Sequence, residues 1–242
     1  MTERPLPSRA SWPRGTWGTP ATLGRPLRLA HRGDTRRGPE NGIDALVGAA
    51  ALPTVDGVEM DVRRSRDGVP VVVHDEDLLR VRGIARYVRD LRADELAAVG
   101  VPELAAVLHA LPRHAFLDVE LKETPDRGWV EVLAAGRGPD LERAVISSFE
   151  EGALRRMRNL APAWPRWLNA ERLDDAVIAS ALGLGCQGIA AHWRAVTDRS
   201  ARDVASAGMA LAAWTVRRRP TMRRLARQGV VAVCVEGRPL DG

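Results

Sequence analysis

Residues 57–74 read GVEMDVRRSRDGVPVVVH. The first six, 57–62, form a strand candidate: a short apolar run bounded by turn-forming residues. Side chains two apart on a strand share a face, so Glu59 and Asp61 stand side by side while Val58, Met60 and Val62 point the other way. Two carboxylates on one buried strand face repel each other and lose solvation, so something positive must compensate. A hard divalent cation with oxygen ligands would do so, and so would pairing with Arg63 or Arg64. The second apolar run, 70–74, follows too closely for a helical crossover. It reads as an extension that returns over the end of the first strand, not as another strand of a parallel layer.

Working outward, the same kind of run recurs at 28–31, 115–121, 144–148, 165–169, 187–191, 209–215 and 230–235. Amphipathic helical stretches intervene at 41–51, 91–99, 102–111, 128–135, 150–160, 172–183, 198–207 and 219–228. Asp198 and Pro220 suit helix starts, and Gly208 and Gly229 fall just past helix ends. Alternating strands and helices imply parallel βαβ units. With 70–74 set aside, eight strands remain, and 242 residues suit a single TIM-type (β/α)8 barrel of the α/β class. The barrel domain is expected over 27–242. Residues 1–26, dense in Pro, Gly, Thr and Arg, read as an extended or disordered arm. No full helix follows the last strand, and the arm is expected to cover part of the barrel there.

Aromatic residues are only 4% of a chain that is 45% hydrophobic, which predicts a core of Val, Leu, Ile and Ala. The net charge is +5, but the arginines are scattered and form no dense block, which argues against a nucleic-acid partner. Of the 36 basic residues only Lys122 is a lysine. Cys186 and Cys234 lack CxxC or Cys/His spacing and read as reduced core thiols of a cytoplasmic protein. No apolar run is long enough to span a membrane, and no signal-peptide stretch opens the chain, so stable membrane insertion is not expected.

A second charged pattern is Asp118-x-Glu120-x-Lys122, again on one face of a strand candidate. It is either a plain ion pair or a third metal ligand beside a phosphate-binding cation. His31, in the tripeptide HRG, and His74 each close an apolar run, and histidine suits general acid/base work near neutral pH. His109, His114 and His192 lie in helix or loop contexts and read as surface or structural. In such barrels chemistry gathers at the C-terminal ends of the strands, where His31, Glu59, Asp61, Glu120, Lys122 and Trp214 all fall.

LAHRGDTRRGPEN, GVEMDVRRSRDGVPVVVHDEDLLR, VELK at 119–122, AWTV at 213–216 and the run 229–239 occur in that order. Together they resemble the glycerophosphodiester phosphodiesterase family over residues 28–239. The resemblance implies a TIM-type barrel and hydrolysis of glycerophosphodiesters to glycerol phosphate and an alcohol, dependent on Mg²⁺ or Ca²⁺. By position it makes Glu59, Asp61 and Glu120 the metal ligands and His31 and His74 the acid/base pair. Arg32 and Lys122 would hold the phosphate, Glu40 and Asn41 would support the site, and Trp214 would pack against the alcohol. A catalytically weak barrel binding a phosphorylated ligand, and a related phospholipase acting on lysophospholipid, are the alternative readings. The chain departs from the family pattern at Gly42, at Arg217 where Asn is usual, and at Glu236-Gly237-Arg238 where Thr-Asp is usual. These changes leave the metal and histidine set intact and put the choice of diester in doubt.

Overall fold

The computed structural model describes residues 25–241. Its strands are β1 (Leu27–His31), β2 (Gly57–Arg64), β3 (Pro70–Val72), β4 (Asp77–Leu78), β5 (Ile84–Tyr87), β6 (Phe116–Leu121), β7 (Ala144–Ser148), β8 (Arg166–Ala170), β9 (Gly188–His192), β10 (Ala210–Val216) and β11 (Ala232–Val235). β1, β2 and β6 to β11 pair in parallel in that order, and β11 pairs back onto β1, closing an eight-stranded barrel with helices between strands. Helix boundaries follow local chemistry. Thr197 caps Asp198–Ser206 by accepting from the Ser200 amide, and Asp174 caps Asp175–Gly183 in the same way. Pro220 is the second residue of Arg219–Arg227, and Gly208 and Gly229 lie past their helices in left-handed geometry.

The run after β2 folds back as expected. β3 pairs antiparallel with the end of β2, and the Val73 amide donates to the Asp61 carbonyl at 2.9 Å, which leads His74 over the barrel mouth. The segment that follows departs from expectation. Residues 77–87 form the hairpin β4–β5, and the helix expected over 91–99 is shortened to Ala93–Ala98 behind a 3₁₀ turn, Val88–Asp90. Strands of two and four residues, half of them exposed, carry no readable alternation. What fixes them is a satellite core of Val71, Val73, Leu78, Val88, Leu91, Leu96 and Val101.

The barrel strands are largely buried on both faces, so a polar inward residue is costly unless a partner compensates it. On β2, Val58, Met60 and Val62 pack outward against the helices, leaving Glu59 and Asp61 inside. The expected aliphatic core is corrected at the barrel base, where Phe116 and Trp167 fill the interior. The neighbouring inward positions, Gly188, Ala190, Ala212 and Ala232, are too small to close that volume. A Cβ at Gly188 would stand 2.7 Å from the Trp167 ring, so the indole occupies space only glycine leaves.

The expected arm lies outside the described residues except at its end, where Arg25 pairs with Asp56 at 2.6 Å. The barrel closes on a 3₁₀ turn, Arg238–Asp241. Among the described residues no helix is long and apolar enough to cross a membrane.

Candidate active site

Strand register brings the acids together. His31 is level with Glu59, Glu59 with Asp118, and Asp61 with Glu120, across β1, β2 and β6. Ligand-capable oxygens of Glu59, Asp61 and Glu120 all lie within 4.8 Å of one another, and all three residues are buried. Lys122, just beyond β6, places Nζ 2.9 Å from Asp61 Oδ1 and also donates to Glu120 Oε1. Arg32 Nε is 3.1 Å from Asp61 Oδ2, which accepts from Asn41 Nδ2 at 2.8 Å. Glu59 Oε2 accepts from the Arg32 amide at 3.1 Å, whereas Glu59 Oε1 is buried with no hydrogen-bond partner. Arg63 and Arg64 take no part: Arg63 donates to the His74 carbonyl and Arg64 pairs with Asp126.

The HRG turn is a backbone device. Arg32 and Gly33 both adopt left-handed geometry, with φ of 56° and 86°. A Cβ at Gly33 would come within 2.5 Å of the Ala45 backbone, so glycine lets the turn press against the helix Ile43–Ala50. This turn aims both the Arg32 amide and its guanidinium at the β2 carboxylates.

Burial, with Asp61 and Glu120 nearby, pushes the Glu59 carboxyl well above the usual range. Burial also pushes Glu120 up, against the pull of Lys122. At Asp61 the ammonium of Lys122 and the guanidinium of Arg32 outweigh burial and hold the group at about 2. Asp118 lies one step deeper, hydrogen-bonded by Ser147 Oγ at 2.6 Å, and burial raises it to about 7. The site therefore holds more acid than its cations neutralise.

Both histidines are tethered through Nδ1. His74 Nδ1 is 2.7 Å from Asp75 Oδ1, and Asp75 Oδ2 accepts from Arg80 Nε at 2.6 Å. His31 Nδ1 is 2.5 Å from Glu236 Oε1, and Glu236 Oε2 accepts from Arg217 Nε at 2.6 Å. Glu40 joins Arg32 at 3.0 Å to Arg80 at 2.6 Å, which makes it a brace between two cations. Trp214 stands on the opposite wall, its Nε1 donating to the Ala190 carbonyl at 2.8 Å. Phe149 and His192 meet the Trp214 ring edge-on at 5.3 and 5.4 Å. His192 therefore closes β9 at the mouth and is not a loop residue, while His109 and His114 are exposed away from the site.

A cavity of about 790 Å³ lies between the two walls; it is lined by His31, His74, Glu120 and Lys122 on one side and by Phe149, Glu171 and Trp214 on the other. Each residue named from the sequence sits in this mouth or braces it. Sequence reasoning missed Phe149 and Glu171; Phe149 directly follows the candidate 144–148, and Glu171 directly follows the observed strand Arg166–Ala170, which ends one residue beyond its candidate. It also treated Glu236 only as a departure from a pattern.

The family described as the glycerophosphoryl diester phosphodiesterase family matches residues 31–237. A glycerophosphodiester phosphodiesterase of Caldanaerobacter subterraneus is 27% identical over 228 residues, covering 87% of this chain and 93% of that protein. Among solved structures, a phosphodiesterase of Oleispira antarctica in complex with the product sn-glycerol-3-phosphate superposes with a TM-score of 0.74 at 25% identity, covering 89% of this chain and 94% of the other. A glycerophosphodiester phosphodiesterase of Thermotoga maritima shares the fold, with a TM-score of 0.73 at 22% identity over 90% and 96% of the two chains.

Proposed function

The chain belongs to the glycerophosphoryl diester phosphodiesterase family and is an enzyme of that class, and from that premise we propose that it hydrolyses glycerophosphodiesters with a divalent cation held by Glu59, Asp61 and Glu120. The observation that carries this reading is Glu59 Oε1, a buried carboxylate oxygen without a partner beside two further acids. Three hard oxygen donors fit Mg²⁺ or Ca²⁺, and no sulfur or imidazole donor belongs to the set. Such an ion, when bound, supplies a Lewis acid for the phosphoryl oxygens.

Arg32 and Lys122 then stabilise the charge that builds on those oxygens during attack. His31 and His74, which both line the cavity, act as the general acid/base pair. One removes the proton of the nucleophile, which is water or the substrate's neighbouring hydroxyl. The other protonates the departing alkoxide, each contributing on the order of 10²–10⁴-fold. Asn41 and Glu40 keep Asp61 and the two arginines in place, and Trp214 packs against the alcohol. Two buried free cysteines suit a reducing compartment, and we assign the enzyme to the cytoplasm.

The test is release of choline, ethanolamine or glycerol from a panel of glycerophosphodiesters, with EDTA and with added Mg²⁺ or Ca²⁺. Turnover restored by the cation supports the reading. Turnover unaffected by EDTA removes the cation from it. Wild type and His31→Ala being equally inactive on every diester would replace it with a binding role.

A further inference from the structure

The two histidines are held by the same device, yet only one device lies within a single stretch of chain. His74, Asp75 and Arg80 are close in sequence. His31 is reached by Glu236 from the other end of the chain, and Glu236 is in turn held by Arg217 at the end of β10. Barrel closure makes this possible, because β11 pairs with β1 and places residue 236 directly beyond the rim next to His31. Arg217 and Glu236 thus form one ion pair, and it ends on His31.

We propose that Glu236 is a positioning residue for His31, with Arg217 holding the carboxylate in place. The carboxylate accepts the Nδ1 proton, which fixes the neutral ring in the tautomer whose Nε2 lone pair faces the cleft. Nε2 lies 3.9 Å from Glu59 Oε2, on the side where the phosphate is expected. A surface ion pair with no further contact would be worth little. Here the carboxylate is only 30% exposed and uses one oxygen for each partner. The hydrogen bonds from His31 and Arg217 hold the Glu236 carboxyl at about 2, so near neutral pH it is ionised and accepts. The inference rests on the acid/base role given to His31 above.

The test uses the full chain, labelled with ¹⁵N-histidine and observed by NMR at about pH 8.5, above the ordinary imidazole range. His31→Asn assigns the signal. In the wild type we expect the His31 proton on Nδ1, with and without Mg²⁺. Glu236→Ala should move the signal toward the Nε2–H tautomer and lower kcat about 100-fold, with KM within about threefold and an unchanged fold by circular dichroism. Arg217→Ala should keep the Nδ1–H signal and cost less than about tenfold, because Glu236 still reaches His31. A wild-type proton on Nε2, or a Glu236→Ala kcat within about threefold of wild type, overturns the proposal. If the wild type turns over no diester, the functional reading fails by itself, and the tautomer still decides the positioning claim.

Discussion

Arg137 and Arg166, at the base of the barrel, are as deeply buried as Glu59 and Asp61 at its mouth: 1% and 2% exposed against 3% and 1%. At the base the terminal guanidinium nitrogens donate to backbone carbonyls. Arg166 reaches Trp164 at 2.6 Å and Gly185 at 2.9 Å, and Arg137 reaches Arg113 and Ala115 at 3.1 Å. These carbonyls belong to the loops that lead into the strands, so dipoles already present absorb the charge of a weakly hydrated cation. At the mouth the buried groups are anions and need donors or cations. Arg32 and Lys122 serve Asp61 and Glu120, leaving Glu59 Oε1 unserved. Burial of charge alone thus does not mark a site. Each end leaves buried atoms without a hydrogen-bond partner, Arg137 Nε and Arg166 Nε at the base and Glu59 Oε1 at the mouth; what distinguishes the mouth is that its unpartnered atom is a carboxylate oxygen gathered with two further acids within ligand distance.

The comparison breaks most severely if Glu59 proves dispensable. Glu59→Gln should lower kcat/KM by at least about 10³-fold, while leaving the cation-free protein no less stable, because it removes a buried acid whose ionisation burial opposes. Activity within tenfold of wild type would mean that the unpaired oxygen has no chemical task. The opposite sign is expected at the base. Arg166→Met strands several carbonyls and should cost about 3 kcal/mol, lowering Tm by roughly 6–12 °C with kcat at 25 °C within about twofold. Equal stability of Arg166→Met and wild type would show that the carbonyl clamp is decorative.

Much of this contrast is legible in the sequence, and the reason is periodicity. Glu59-x-Asp61 and Asp118-x-Glu120 show their shared face directly, and eight apolar runs separated by helical stretches imply the closed sheet. Pairings that depend on closure are not legible. Nothing near His31 announces Glu236, which is 205 residues away, and Arg166 reaches the Gly185 carbonyl only once β8 and β9 are set side by side. The hairpin β4–β5 is hidden for a different reason: its strands are too short and too exposed to carry a pattern, and the satellite core that holds it is assembled from separate segments.

A smaller effect sharpens the account of the mouth. Protons on Glu59 must leave before its oxygens can bind a cation, and burial raises that group well above its usual range. The rise in Tm on adding Mg²⁺ or Ca²⁺ should therefore grow from pH 5 to pH 8. At about 100 times Kd the stabilisation is about 2.7 kcal/mol, or roughly 5–10 °C. A shift independent of pH would mean that the acids are already ionised without the cation.

The smallest effect belongs to Asp118, which separates the acid that binds from the acid that only sits nearby. Its carboxyl is raised to about 7 in the folded chain, against an ordinary value of 3.8. Between those values the folded chain holds the proton and the unfolded chain has released it. Stability therefore falls as pH rises through that interval and stays low above it. The cation-free protein should lose stability from pH 5 to pH 8.5. Asp118→Asn keeps an oxygen for the Ser147 hydroxyl, removes the titration, and should flatten the decline. Near pH 5 the variant and wild type should melt within a degree or two of each other. At pH 8.5 the variant should melt higher by a few degrees. A lower melting point for Asp118→Asn at pH 8.5 would show that the ionised carboxylate stabilises the cation-free fold, and would overturn the sign argued here.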